Sequence, residues 1–523
     1  MMQSARLSQR WFHRLPPILL PMASALLLHA GFAVPSAGLC SWFAFLPLFW
    51  SITRTNTLPA FIQGMITGFI FSAINLCWIT NAIRNFTSLP LVATLLIMAL
   101  LAAYLSLYYG LFALLVARHP PGSWIGTLFL AASWTLLEWL RGTILYGFPW
   151  NLLGYTVGEH SFYLNILPYG GIYSLSFLVI YGNLALFVLF NRRHQAMDFL
   201  RQAALLLTVP ALFALFAAMG LSPVAQLNRQ TIQVTIVQPN IPQAEKWAPA
   251  FREQNFAVLE QLSRQAALQT SPDSPHLIIW PEAAIPDFLQ DAPDFQTAIA
   301  LLLASTNSYL LAGSPRHLGC EDSPPYRYYN SAMFFTPEGT IASLYDKIKL
   351  VPYGEFTPLA ELLPFLGKMV PGADFSPGNQ VITPFLNGTP FVPSICFEGI
   401  FPEFIAGAMA DGAGFLVNIT NDAWFGLSAG PRQHLANTRM RAIEHRCYLL
   451  RCANTGISAI IDPTGRIIDQ LPLNCRGVLQ AAITPMTTPT FYARHPYGFI
   501  VCLAVMAAIT GICLETSKND GFS

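Results

Sequence analysis

The chain's apolar residues are gathered into stretches long enough to cross a bilayer, and that constrains its folding more than any other feature. Spanning roughly 30 Å of hydrocarbon takes about 20 mostly apolar residues in a helix. Such stretches run from Leu15 to Val34, Ala37 to Ile52, Ala60 to Ile79, Leu89 to Ala117, Trp124 to Leu140, Gly171 to Phe190, Ala203 to Leu221 and Tyr497 to Leu514. Lipid offers no partners to backbone N–H and C=O groups, so each stretch must close its own hydrogen bonds as a helix. The expectation is a multi-span α-helical membrane bundle of about seven helices in residues 1–221, with one more helix and a short tail in 496–523. The second stretch is short and contains Pro47. Arg6, Arg10 and Arg14 precede the first stretch, as in a signal peptide, but the spans that follow favour an uncleaved helix.

Charge sharpens this picture. Only 11 % of residues are charged, against about 25 % in an average soluble domain. A net charge of +1 offers no footprint for nucleic acid, so that class of partner is excluded. Basic residues in short loops are retained in the cytoplasm. With these spans, Arg6, Arg10, Arg14, Arg54, Arg118, Arg192, Arg193, Arg201 and Lys518 fall on one side, and only Arg84 and Arg141 fall in the short loops of the other. Both termini are therefore expected in the cytoplasm, with the long segment before the last span outside it. Nine cysteines without a C-x-x-C pair give no zinc or dithiol motif.

Residues 222–495 read differently. Strand-type runs at Thr231 to Val237, Leu277 to Trp280, Tyr309 to Ala312, Ser331 to Phe335, Pro390 to Ile395, Phe415 to Ile419 and Ile457 to Ile461 are interleaved with helical patterns. The helical patterns lie at Ala250 to Leu268, Asp294 to Ser305, Pro402 to Asp411 and Pro431 to Arg446. This is an α/β domain large enough to bury its own core.

Three separated segments in this domain can carry chemistry. Leu277 to Glu282 is an apolar strand that stops at Pro281 and presents a carboxylate behind Trp280. Glu282 reads there as a general base, or as a solvated strand-end acid. Tyr345 to Phe356 holds Lys347, Lys349 and Glu355 beside a hydrophobic turn. A lysine pointed into a cleft supplies charge for an oxyanion, whereas on the surface it does nothing of the kind. Phe391 to Glu398 brings Cys396 to the end of an apolar run just before the helix opened by Pro402. Such a strand-to-helix turn is expected to lower a thiol pKa and make a nucleophile; the alternative is a core cysteine.

Taken together, the order Glu282, Lys347, Cys396, in the contexts W-P-E, K-x-x-L-V-P-Y-G-E and C-F-E, resembles the Glu-Lys-Cys triad of the nitrilase superfamily. The resemblance implies a nitrilase-like αββα sandwich. Further matches are Gln238 to Gln243, Trp247, Asn418 to Gly426, and Gln433-His434 with Arg439 to Glu444. The membrane layout, with Glu138 to Gly142 and Gly147 to Asn151, is similar to the apolipoprotein N-acyltransferase branch. In that branch the reaction is acyl transfer from the sn-1 position of a phospholipid, typically phosphatidylethanolamine, to the α-amine of a lipoprotein's diacylglyceryl-cysteine, by way of a cysteine thioester. The resemblance implies Glu282, Lys347 and Cys396 as catalytic residues, Glu355 and Glu398 in support, and Trp247, Tyr353, Phe397, Asn421 and Trp424 at the substrates. It also implies the inner membrane as location, with residues 222–495 in the periplasm. Phe397 departs from the tyrosine common in the family. Apolar residues 362–370 are candidates for dipping into lipid, or for a core helix. Glu138 and Arg141 are expected to support the bundle as an ion pair, and His434 to serve packing or hydrogen bonding. A tethered amidase acting on a small soluble amide is the competing function. A transporter would leave the triad unexplained.

Overall fold

The computed structural model describes residues 18–33, 35–53, 55–86, 89–158, 161–192, 196–220, 230–269, 274–285, 287–320, 323–357 and 374–520. The chain divides into two compact units, one made of Met1–Cys77, Val92–Leu221 and Tyr497–Ser523, the other of Trp78–Leu91 and Ser222–Pro496.

The first unit is helical. Among the described residues, five segments are long and apolar enough to cross a membrane: Thr57–Asn75, Leu91–Arg118, Phe162–Arg192, Met197–Met219 and Gly498–Ser517. Three of the eight expected spans differ. The first is a 15-residue helix, Leu19–Ala33. The second divides into a 3-10 segment, Pro35–Trp42, and a short helix, Leu46–Ile52. Pro47 sits in the first turn of that helix, where its missing N–H would have had no partner anyway. The third, Trp124–Thr143, has the length but carries Glu138 and Arg141, both buried. A buried charge needs bonded partners, and loop backbone supplies them. Glu138 accepts the Leu153 N–H at 2.8 Å, and Arg141 donates to the carbonyls of Trp150 and Asn151 at 3.1 and 3.2 Å. Where an ion pair between the two was expected, each instead bonds loop backbone, and together they fix the loop that follows their helix.

The second unit is a four-layer αββα sandwich. Its strands are β1 (Ile232–Gln238), β2 (His276–Ile279), β3 (Ser308–Cys320), β4 (Ser323–Phe335), β5 (Ile341–Asp346), β6 (Phe385–Leu386), β7 (Thr389–Pro390), β8 (Val392–Ile395), β9 (Phe415–Thr420), β10 (Tyr448–Ala453), β11 (Ser458–Ile461), β12 (Ile467–Leu471) and β13 (Gly477–Ile483). One sheet has the order β13-β1-β2-β3-β4-β5 and the other β12-β11-β10-β9-β8, while β6 and β7 form a small hairpin. Pairing is parallel along β1-β2-β3 and along β8-β9-β10, and antiparallel at the flanks.

Side chains alternate faces along a strand, and the core follows that period. Val234, Ile236, Leu277, Ile279 and Leu311 meet Phe415, Val417, Ile419, Leu450 and Cys452 between the sheets. Their neighbours Val237, Ile278, Trp280, Leu310 and Ala312 face outward against Phe256, Leu259, Ile299 and Leu302 of helices Arg252–Ala267 and Pro293–Thr306. On the far side, Leu416, Leu449, Ala459 and Ile461 pack with Ile405, Met409 and Ala442 of helices Pro402–Met409 and Gly430–His445. The parallel strands at the centre of each sheet are buried on both faces, and so read as continuous apolar runs.

The segment Trp78–Leu91 lies between two hydrophobic spans in the chain yet belongs to this second unit. Trp78 Nε1 donates to Gln433 Oε1 at 3.0 Å, its ring meets Phe425 edge-on at 4.7 Å, and Asn85 donates to the Trp424 carbonyl at 3.4 Å.

Candidate active site

Two motifs meet on the β1-β2-β3-β4-β5 sheet. After β2 the chain turns sharply at Pro281-Glu282-Ala283, with Ala283 at φ 46°. Gly313 in β3 makes room for this turn, because a Cβ there would lie 2.5 Å from the Pro281 carbonyl oxygen and the Ala283 nitrogen and 2.7 Å from Glu282 Cα. The buried Glu282 carboxylate accepts Asn330 Nδ2 at 2.7 Å and the Asn421 N–H at 2.8 Å. Lys347 follows directly on β5 and is almost fully buried. Its Nζ lies 2.8 Å from Glu355 Oε1 and 3.4 Å from Glu282 Oε1. Burial works against the ammonium, but the Glu355 and Glu282 carboxylates hold its pKa above the ordinary lysine value. Glu355 also accepts Asn330 Nδ2 at 2.9 Å and the Val351 N–H at 2.8 Å. Asn330 therefore spaces the two carboxylates while Lys347 bridges them.

Cys396 enters from the other sheet, where β8 ends and the 3-10 turn Cys396–Ile400 begins. It adopts φ 53°, a conformation strained for a residue with a side chain and persisting only where its surroundings enforce it. Two donors hold its carbonyl: Asn418 Nδ2 at 3.2 Å and His434 Nε2 at 3.1 Å. Behind them, Arg451 bonds Asn418 Oδ1 at 2.5 Å and Asp422 Oδ2 at 2.7 Å, and His434 Nδ1 faces Asp422 Oδ1 at 2.9 Å and Arg451 at 3.0 Å. Burial, and then Arg451, hold the His434 pKa down, so the ring is neutral. A carbonyl at Nε2 requires that nitrogen to carry the proton, leaving Nδ1 to accept from Arg451. Asp422 stays ionised; burial opposes this, but the Arg451 guanidinium holds its pKa below the ordinary carboxylate range.

Glu398 fixes the same turn from within. Its Oε2 accepts the Ile395 N–H at 2.8 Å, and its Oε1 accepts Tyr345 Oη at 2.7 Å and the N–H groups of Ile348 and Lys349 at 2.7 and 3.0 Å. One carboxylate thereby ties the cysteine turn to the lysine segment.

The expected acidification of Cys396 is corrected by this geometry. Burial raises the thiol pKa well above its ordinary value, and the nearby Glu282 carboxylate adds to the rise; Lys347 pulls the other way without prevailing. A turn position alone does not acidify a thiol that is buried beside a carboxylate. The resting sulfur is a thiol, and its proton has an acceptor close by in Glu282. Sγ of Cys396 also lies within 4.8 Å of donor atoms of Asp422 and His434, a spacing a metal ion tolerates. Both oxygens of Asp422 and both ring nitrogens of His434 already bond Arg451, Thr420 and the Cys396 carbonyl. The donor set works as a backbone clamp.

Comparison with known proteins gives this geometry a family. Residues 24–185 match the profile described as apolipoprotein N-acyltransferase N-terminal domain, and residues 233–491 match carbon-nitrogen hydrolase. An apolipoprotein N-acyltransferase from Geobacter metallireducens is 35 % identical over 95 % of both chains. The chain belongs to the apolipoprotein N-acyltransferase family. A second apolipoprotein N-acyltransferase, from Rhodopseudomonas palustris, is 37 % identical over 78 % of each chain. Among solved structures, a carbon-nitrogen hydrolase from Helicobacter pylori aligns with 52 % of this chain and 94 % of its own, at 16 % identity and a TM-score of 0.38.

The other positions that the family resemblance pointed to are spread around this cluster. Trp247 and Tyr353 are 47 % and 46 % exposed. Phe397 is buried edge-on to Phe401, with ring centroids 5.0 Å apart. Asn421 bonds Glu282 through its own N–H and Gln243 through its side chain at 2.9 Å. Trp424 offers its carbonyl to Asn85. Residues 362–370 lie outside the described residues. Sequence reasoning passed over Lys246, Asn330 and Arg451, polar residues whose partners are far away in the chain. Lys246 had one local signal, its place between Gln243 and Trp247.

Proposed function

We propose that the protein transfers an acyl chain from the sn-1 position of a membrane phospholipid, phosphatidylethanolamine foremost, to the α-amino group of a lipoprotein's N-terminal diacylglyceryl-cysteine. One observation carries the mechanism: three motifs far apart in the chain supply a carboxylate, an ammonium and a thiol to one buried cluster, in a chain of this family.

In the first half-reaction the Cys396 sulfur attacks the ester carbonyl as Glu282 takes the thiol proton. Lys347 faces the negative charge that develops on the carbonyl oxygen, where an ammonium in a dry site is far more effective than in water. Collapse breaks the C–O bond, Glu282 returns the proton to the leaving alkoxide, and a lysophospholipid departs from a Cys396 thioester. In the second half-reaction the acceptor amine adds to the thioester, the C–S bond breaks, and Glu282 conveys the amine's proton to the departing sulfur. Glu355 and Glu398 hold the lysine and the cysteine turn, while Trp247, Tyr353, Phe397, Asn421 and Trp424 surround the substrates. This order of events predicts ping-pong kinetics. Both substrates are anchored in lipid with their reacting atoms near the headgroups, which accounts for a catalytic unit on a multi-span chain. The distribution of basic residues supports a periplasmic catalytic unit and cytoplasmic termini in the inner membrane.

The test is intact mass spectrometry of the purified protein with phosphatidylethanolamine vesicles. The expected result is a gain of one acyl chain, removed by hydroxylamine, absent in Cys396→Ala and discharged onto a diacylglyceryl-lipopeptide. Absence of any adduct, with ammonia released from small amides instead, would establish the amidase.

A further inference from the structure

Lys246 ends the short helix Gln243–Lys246 and is 3 % exposed. Its Nζ donates to the main-chain carbonyl of Glu282 at 2.9 Å, its one protein acceptor among the described residues. A buried ammonium has three N–H groups to satisfy, and leaving it under-partnered is costly unless its charge is used. Here it lies in the field of the Glu282 carboxylate and the Cys396 sulfur.

A charge count shows what is at stake. Lys347 is shared between Glu282 and Glu355, so these three residues carry one negative charge in excess. Creating a thiolate or an oxyanion beside uncompensated negative charge is unfavourable, and the more so away from water. Lys246 brings the group to neutrality. Burial pushes its pKa down to about 8, opposed by Glu282 and Cys396, so the compensating charge is present at neutral pH and is lost in the mildly alkaline range.

We propose that Lys246 is the second cation of the acyl-transfer site, fixing the Glu282 turn through its carbonyl and supplying the charge that lets Cys396 and its oxyanion develop negative charge. This rests on the reading of Glu282, Lys347 and Cys396 as the reacting group, and not on the identity of donor or acceptor. The titratable groups around Lys246 are Glu282 and Cys396, together with Glu245 in its own turn; Lys347 and Glu355 act through Glu282.

The test follows Cys396 alkylation by iodoacetamide against pH in the full-length protein, beside acyl-adduct formation from phosphatidylethanolamine vesicles. Lys246→Gln can still donate to the Glu282 carbonyl but carries no charge, and Lys246→Arg keeps the charge. The expected result is that Lys246→Gln slows alkylation at pH 7.5 by ~10-fold and displaces its pH profile upward by about one unit. Lys246→Arg should stay within ~3-fold of the wild type. In the wild type, adduct formation should fall off above about pH 8, a readout needing no variant. A Lys246→Gln profile that overlays the wild type, or wild-type adduct formation that keeps rising beyond pH 9, overturns the proposal. Alkylation that responds as expected in a protein taking no acyl group from lipid would refute the donor assignment and leave the role of Lys246 standing.

Discussion

Gly313→Ala isolates the positioning of Glu282 from every other property of the site. Gly313 is not in the left-handed region, so alanine fits its backbone, and in a strand interior the exchange by itself favours folding slightly. The added methyl, however, would lie 2.5 Å from the Pro281 oxygen and the Ala283 nitrogen. Ordinary contacts of this kind begin near 3.4 Å, so the Glu282 turn must retreat by roughly 0.9 Å. The turn cannot absorb this freely. It is bonded to β3 by Gly313 N–H to the Pro281 carbonyl and by Ile285 N–H to the Gly313 carbonyl, each at 3.2 Å, and it carries the carboxylate that must accept the thiol proton. A displacement of ~1 Å in a catalytic group costs on the order of 100-fold in rate. Rapid-quench measurement of the acyl-enzyme burst should therefore show a loss of ~30- to 300-fold. The denaturation midpoint should move by only a few degrees, corresponding to ~1–2 kcal/mol. A burst within ~3-fold of the wild type would refute the reasoning, because it would mean that the Glu282 position is not set by β3.

Two further outcomes follow from buried groups elsewhere in the unit. His434→Ala removes one of the two side-chain donors to the Cys396 carbonyl; it should cost ~1–3 kcal/mol of stability and slow Cys396 alkylation severalfold with little change in KM, and an unchanged alkylation rate would contradict the clamp. His276, which bonds Thr235 and Ser308, is pushed down to about 4 by burial. His445 is pushed down to about 3 by burial and then by Arg441. Both are neutral when folded, whereas the unfolded chain takes up protons near pH 6.5. Their contribution is complete above about pH 6.5 and is lost as pH falls below it, with a slope approaching ~2.7 kcal/mol per unit for two protons. Denaturation midpoints between pH 7.5 and 5 test this; stability that is flat or rises on acidification would refute it.

Why some features were legible and others were not follows from the range of the forces. Strands β1, β2, β8, β9 and β11 and all four large helices of the sandwich lie within a few residues of their sequence readings, because apolar periodicity is local. Strand β10 was not marked, since Arg451 at its centre reads as a surface charge. It is tolerated there because Asn418 and Asp422, 33 and 29 residues earlier, neutralise it from the neighbouring β9 segment. The Trp78–Leu91 segment was read only as the ends of two spans and the loop between them. Its place beside Gln433 depends on side-chain contacts across 355 positions of sequence, which no local pattern encodes.

The sequence alone determined the division into apolar helices and an α/β segment, and it carried the order of Glu282, Lys347 and Cys396. Both are written in composition and short motifs, because transfer into lipid and turn geometry act on neighbouring residues. Tertiary structure alone decided the electrostatics. Packing of one sheet on the other buries the thiol next to a carboxylate and so reverses the expected direction of its pKa. The same folding brings in Lys246 as a further cation and sets His434 and Asn418 on the cysteine carbonyl. Coulomb energy and desolvation depend on distances and burial that exist only once the sheets have assembled.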